Sequence, residues 1–265
     1  PVEGIVITKD IQDEATAKAK PTFFMTGVHH AREWPSGEMA MEWAFEAIKK
    51  YTAEDPRMQK LLENARIVVV PLVNPDGFNL SRTSTVDLGQ PVVDPGFAYK
   101  RKNCRVKDFE MPAPGTCGAQ ENRSLGVDPN RNYGGDWGGP GAAIDFANDT
   151  YRGPVPFSEP ETQNIKEFIS TNPTMTFITN HTYSDLILRP PAAAEDVDTP
   201  DETEYKALSD KMAVENGYAS LKSYELYDTS GSAEGWSYYA TGGYGFTFEI
   251  GRAKNAGDPA PTPVD

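Results

Sequence analysis

Histidine is scarce in this chain: 265 residues contain three, His29, His30 and His181. His30 and Glu33 form an H-x-x-E pattern, and His181 closes the β-rich run of residues 175–180. Two imidazoles and one carboxylate form a catalytic zinc set, because three protein ligands leave a fourth position open to water. H-x-x-E alone is a short pattern, and an ordinary surface His–Glu pair competes with it. A further histidine at a strand end strengthens the metal reading. His29 is the spare, and would be the ligand only if the pairing were shifted by one; H-x-x-E selects His30.

A zinc peptidase also needs a base for the attacking water and a cation for the oxyanion. Glu249 lies in residues 245–250, where Phe246, Phe248 and Ile250 share one strand face and Thr247 and Glu249 the other. A carboxylate on a central apolar strand is costly unless it has a partner or a task. A buried salt bridge or an edge strand is the competing explanation. Residues 126–133 set Asn130 beside Arg131, and a planar guanidinium can grip a carboxylate through two parallel bonds. The competing explanation is a turn with a surface arginine. Asp128, two residues earlier, suits a hydrogen-bond acceptor behind a metal-bound imidazole.

The elements that position these residues follow from periodicity. Residues 2–8, 22–26, 67–72, 175–180, 186–188 and 245–250 read as strands. A helix is predicted over 35–51, with Met39, Met41, Trp43, Ala44, Phe45 and Ile48 giving a broad apolar face. Asn74-Pro75-Asp76-Gly77 reads as a turn. Ser158-Glu159-Pro160-Glu161 reads as a capping box opening a helix to about residue 171, and Thr199-Pro200-Asp201-Glu202 as a second, whose helix ends at Gly217. Residues 221–226 read as extended and 236–240 as helical. Residues 80–157 are rich in Gly, Pro and Asn and predict a long functional loop region. Alternating strands and helices predict one α/β domain over residues 1–265: a mixed, mostly parallel sheet flanked by helices on both faces, with the chemistry at the carboxyl ends of strands.

Composition narrows the function classes. A net charge of −14 argues against nucleic acid, since backbone binding needs clustered Lys and Arg. No apolar run is long enough to span a bilayer. The two cysteines, Cys104 and Cys117, do not form a CxxC pair; a disulfide in a secreted protein and two free thiols both remain open. The expectation from composition is no nucleic-acid and no membrane partner.

Six motifs occur in order: His30-Ala31-Arg32-Glu33-Trp34, Asn74-Pro75-Asp76-Gly77, Arg101-Lys102-Asn103, the 126–132 segment, His181-x-Tyr183-Ser184 and Phe246-Thr247-Phe248-Glu249. Together they resemble the zinc carboxypeptidases of the pancreatic A and B type, over nearly the whole chain. The resemblance implies one zinc ion held by His30, Glu33 and His181, with Glu249 as general base and Arg101 steadying the oxyanion. It also implies that Asn130 and Arg131 grip the substrate's terminal carboxylate and that Tyr227 closes over the substrate. Arg32 and Tyr183 match residues of neighbouring subsites, Asp128 the partner of the first zinc histidine, and Glu234 the floor of the side-chain pocket. A cis peptide at Thr182–Tyr183, a Cys104–Cys117 disulfide, and a secreted monomer that acts on peptide or protein C-termini are further expectations of the resemblance. Against the family pattern, a domain trimmed at both ends is expected. The alternatives are an inactive carboxypeptidase-like binding module and a related zinc hydrolase acting on cell-wall peptides.

Overall fold

Residues 66–70 read Arg-Ile-Val-Val-Val, and all five are buried. Such a strand needs apolar cover on both faces. The computed structural model describes residues 2–83 and 96–252 and provides that cover. Its strands are β1 (Ile5–Ile7), β2 (Thr22–Thr26), β3 (Arg66–Val70), β4 (Thr174–Thr182), β5 (Leu186–Arg189), β6 (Ala219–Lys222) and β7 (Tyr244–Ile250). They form one sheet in the order β1-β3-β2-β4-β7-β5-β6. β1 with β3 and β5 with β7 are antiparallel; the other pairings are parallel. The helices are α1 (Glu14–Ala19), α2 (Trp34–Thr52), α3 (Pro56–Asn64), α4 (Pro75–Thr83), α5 (Pro160–Thr171), α6 (Glu202–Asn216), α7 (Ser223–Leu226) and α8 (Ala233–Thr241).

Strand alternation sorts the core into two layers. Met25, Ile67, Val69, Ile178 and Phe246 pack with Ala40, Ala44 and Ala47 of α2, Leu62 of α3 and Tyr205 of α6. Their sequence neighbours Phe24, Val68, Val70 and Phe177 pack on the other side with Ile165 and Ile169 of α5 and Trp236 of α8. The predicted mixed sheet with two covered faces is therefore what forms.

Several local expectations are corrected. In α2 the buried stripe is the small one, Ala40, Ala44 and Ala47, whereas Met39, Phe45 and Ile48 are 50%, 54% and 40% exposed. Of the predicted face, Ala44 is buried and Trp43 packs against the core, but the stripe against the sheet is the i, i+4, i+7 run of alanines. Asn74-Pro75 does not make a free-standing turn. It starts α4, with Asn74 Oδ1 accepting from Gly77 N at 3.0 Å, as an N-cap followed by Pro at the first position does. Residues 221–226 split between β6 and α7. Neither predicted capping box forms: Glu159 and Asp201 are the N-caps of α5 and α6, and neither side chain caps. Gly217 does end α6, in the left-handed conformation. The short helices α1 and α3 escaped the sequence reading. Asp13 and Asp55 cap them, accepting from Thr16 N and Met58 N.

Candidate metal centre and substrate cleft

The turn after β2 is built for close approach. A Cβ on Gly27 would lie 2.6 Å from Ser36 O, so only glycine lets the strand end reach the first turn of α2. Ser36 Oγ accepts from Val28 N and donates to Glu33 O, and Asn74 Nδ2 donates to His29 O. These bonds fix the His29–Glu33 turn. Glu33 is the N-cap of α2, but its carboxylate makes no cap bond; it points to the two histidines instead. Acidic charge is favoured at that end of a helix.

His30 Nδ1 lies 2.8 Å from Glu33 Oε1, and His181 Nδ1 lies 3.0 Å from Glu33 Oε2. The two Nδ1 atoms are themselves 3.0 Å apart. All three residues are buried, and one ligand atom from each falls within 4.8 Å of the others. Two imidazole lone pairs at that distance repel unless a proton or a metal ion lies between them. A tetrahedral zinc with bonds of about 2.0–2.1 Å would space its ligands roughly 3.3 Å apart, so the donor set fits zinc.

Behind the triad, Asp128 is fully buried and links Arg101 to His30. Its Oδ2 accepts from Arg101 Nε and Nη2 at 3.0 and 2.9 Å. Its Oδ1 accepts from Asn130 N at 2.8 Å and lies 3.2 Å from His30 Nε2, at an angle short of a full hydrogen bond. Burial would raise the Asp128 carboxyl, but Arg101 and His30 outweigh it and hold the group well below the usual range. Glu33 likewise resists burial through His30 and His181 and is lowered. Arg101 Nη1 is 3.9 Å from Glu33 Oε1.

Glu249 of β7 sits beside His181 of β4 in the sheet register. It is 8% exposed. Burial, then the charge of Glu33, pushes its carboxyl up to about 8. One cleft is lined by His30, Glu249, Thr247, Asn130, Arg131, Tyr227 and Glu234, closed by Leu188, Ser223 and Thr229. Asn130 Oδ1 accepts from Ala233 N, so its amide N–H groups are what it can offer a ligand. Arg131 is held by the carbonyls of Gly141 and Asn130, with Tyr227 stacked 6.0 Å away and 49% exposed.

Glu234, in the first turn of α8, is 2% exposed and so faces inward. A Cβ on Gly245 would lie 2.4 Å from Glu234 O; that approach brings α8 against β7 and Glu234 into the cleft. Its Oε1 accepts from Ser223 Oγ at 3.3 Å, while Oε2 has no partner, and neither has Thr247 Oγ1. Arg32 stays at the rim, bonded to Tyr99 O and Asp149, and Tyr183 is 43% exposed. The Thr182–Tyr183 peptide is cis. Cys104 and Cys117 form a disulfide, with Cα atoms 5.6 Å apart.

The sequence reading missed Thr179, His29 and Tyr133 as neighbours of the centre. Thr179 was findable, since it shares a strand face with His181 two residues on. The contact between His29 and Tyr133 depends on the loop path.

The family model described as zinc carboxypeptidase matches residues 1–262. Carboxypeptidase A2 of Mus musculus is 29% identical over 248 residues, which cover 89% of this chain and 52% of that protein. Carboxypeptidase A1 of Mus musculus is 30% identical over 235 residues, covering 85% and 49%. The chain thus spans about half the length of the curated relatives it matches. Its fold is similar to the crystal structure of thrombin activatable fibrinolysis inhibitor, with TM-score 0.75, 24% identity, and 94% of this chain and 57% of that one covered. Carboxypeptidase A from Helicoverpa armigera gives TM-score 0.73 at 22% identity, covering 96% and 57%.

Proposed function

Because this chain belongs to the zinc carboxypeptidase family, we propose that it hydrolyses the C-terminal peptide bond of peptides and proteins, using one zinc ion held by His30, Glu33 and His181. One observation carries the reading: His30 and Glu249 line the same cleft as Asn130 and Arg131. A site for hydrolysis and a grip for a free carboxylate share one space.

Zinc bound there would supply Lewis-acid activation of water and of the scissile carbonyl. The chain's residues do the rest. Asn130 and Arg131 take the substrate's terminal carboxylate, so that only the last peptide bond reaches Glu249. Glu249 removes the proton of the attacking water and returns it to the leaving amine. Its burial suits a base tuned toward neutral pH, and a nearby dication would draw it back toward the carboxylate. Arg101, fixed by Asp128, faces the developing oxyanion. Tyr227 stands exposed at the mouth, placed to close over the bound end, with Arg32 and Tyr183 contacting residues further up the peptide.

The departing side chain enters the part of the cleft floored by Glu234. Two buried unpartnered oxygens, Glu234 Oε2 and Thr247 Oγ1, favour a side chain that donates hydrogen bonds, Lys or Arg above all. The Cys104–Cys117 disulfide supports an oxidising, extracellular setting. Among the described residues no helix is long and apolar enough to cross a membrane.

The test combines zinc content with release of a free C-terminal amino acid from defined peptides. One zinc per chain together with stepwise loss of the last residue is the expected result. Zinc without turnover would indicate an inactive binding module, and cleavage only of blocked or internal amides would indicate a different hydrolase.

A further inference from the structure

His29, the histidine left over by H-x-x-E, is fully buried, and its two ring nitrogens have separate partners. Nε2 lies 2.9 Å from Tyr133 Oη, and Nδ1 lies 3.0 Å from Thr179 Oγ1. The same Thr179 hydroxyl lies 3.0 Å from His181 Nε2. His29 also stacks over His181, with ring centroids 5.6 Å apart and planes 20° from parallel. Thr179 and Tyr133 are both 0% exposed, so water does not substitute for any member of the row.

The proton positions follow from the ligand reading. A histidine that gives its Nδ1 lone pair to a metal must carry its proton on Nε2. His181 Nε2–H therefore donates to Thr179 Oγ1. The Thr179 hydroxyl then has its own proton to place, and His29 Nδ1 is the acceptor in reach. His29 must be the neutral Nε2–H tautomer, donating to Tyr133 Oη.

We propose that His29 is a positioning residue for the metal centre: through Thr179 it fixes the tautomer and ring orientation of His181, so that a one-way row of hydrogen bonds runs from His181 Nε2–H through Thr179 and His29 to Tyr133 and leaves His181 Nδ1 free for the metal. The centre is then held from two sides. Asp128 backs His30 with a charge, while a neutral row backs His181. The inference rests on His181 being a zinc ligand.

The test is zinc affinity of the metal-free protein, measured by chelator competition, with the cobalt(II) absorption spectrum as a second readout of ligand geometry. Thr179→Val keeps shape and removes the hydroxyl; it should weaken zinc about 10–100-fold, the usual effect of losing a hydrogen bond behind a ligand. Thr179→Ser should restore affinity to near the starting value. His29→Phe should weaken zinc in the starting protein but add nothing in a Thr179→Val background, because the row is already cut. If His29→Phe does not fold, Tyr133→Phe takes its place: it removes one terminal oxygen and should show the same dependence on Thr179. Unchanged affinity and cobalt spectrum in Thr179→Val would overturn the proposal. So would a loss from His29→Phe, or from its stand-in, that is equal in both backgrounds, since that marks a packing role. His181→Ala separates this from the ligand assignment: if it retains full zinc affinity, His181 is not a ligand and the row has no metal to serve.

Discussion

The two ends of the cleft treat buried charge in opposite ways. At the metal end, the two acids nearest the histidines both have partners. Asp128 holds Arg101 and touches His30, and Glu33 meets both histidines. At the floor, Glu234 is as deeply buried, yet one of its oxygens has no partner. Native proteins rarely leave a buried polar atom unsatisfied. On the proposed function, the metal end would be organised before substrate arrives and the floor left for the substrate to complete. The first arrangement would serve catalysis, where preformed dipoles lower the barrier without reorganising. The second would serve selection, because a ligand that fills the gap gains what a misfit does not.

The largest effects should come from the organised end. His181→Ala removes one of three donors and should abolish both stoichiometric zinc and turnover, measured by metal analysis after dialysis. Full zinc occupancy in that variant would dissolve the contrast, because the triad would not be the centre. Glu249→Gln should be milder and more selective. It keeps volume and leaves the triad intact, so zinc should stay bound and KM should change little. kcat should fall about 10²–10⁴-fold, as expected for a lost general base. A kcat near the starting value would move the base elsewhere in the cleft.

The metal end was also the more legible end in sequence. His30, Glu33 and His181 could be proposed from residue type and strand position, and Glu249 from its place on the polar side of an apolar strand. Those inferences use short-range periodicity, which sequence carries directly. The partners behind them come from across the fold: Asp128 reaches Arg101 from a loop, and Tyr133 reaches His29 over 104 positions. No local pattern encodes such contacts. The α2 face shows the same limit in the core. The apolar pattern predicts a face that holds Ala44 and Trp43 but also the exposed Met39, Phe45 and Ile48, whereas the sheet needs the thin Ala40–Ala44–Ala47 stripe, a fact about the neighbour and not about the helix.

An intermediate case tests how far partnering controls buried acids. Glu161 is 6% exposed and shares the Asn103 amide with Glu159: Nδ2 is 2.7 Å from Glu159 Oε2 and 3.3 Å from Glu161 Oε2. Only Glu159 also has a cation, Arg105. Burial, reinforced by the charge of Glu159, pushes Glu161 up from 4.5 to about 7. A carboxyl raised on folding keeps its proton in the native state while the unfolded chain releases it. Its contribution to stability is therefore present below about pH 4.5 and lost as pH rises through about 7. The shift corresponds to about 3 kcal/mol. Glu161→Gln should remove this loss, so urea midpoints of the two proteins should diverge between pH 4.5 and 8, with the variant the more stable at the upper end. Parallel curves would mean that Asn103 satisfies Glu161 as fully as Arg101 satisfies Asp128.

The smallest effect belongs to the floor, and it decides whether the open valence there is meant for substrate. Glu234→Gln preserves shape and the contact to Ser223 Oγ, removing only the charge. If Glu234 receives a cationic side chain, kcat/KM for peptides ending in Arg should drop about 10-fold, the scale of one charge-assisted hydrogen bond in a desolvated pocket. Peptides ending in Phe should change little or improve, because an amide is less costly to bury against a ring than a carboxylate. The ratio of the two is the informative number, since it cancels any general damage to the centre. The wider negative field, with a net charge of −14, would help both forms of the enzyme attract basic chain ends and would be screened by salt. Measuring the ratio at low and high ionic strength separates that steering from the pocket. A contribution from Glu234 should persist in salt because the group is buried. A preference for Arg that vanishes in salt and ignores the substitution would assign selection to the surface, and would leave the unpartnered Glu234 oxygen to a bound water.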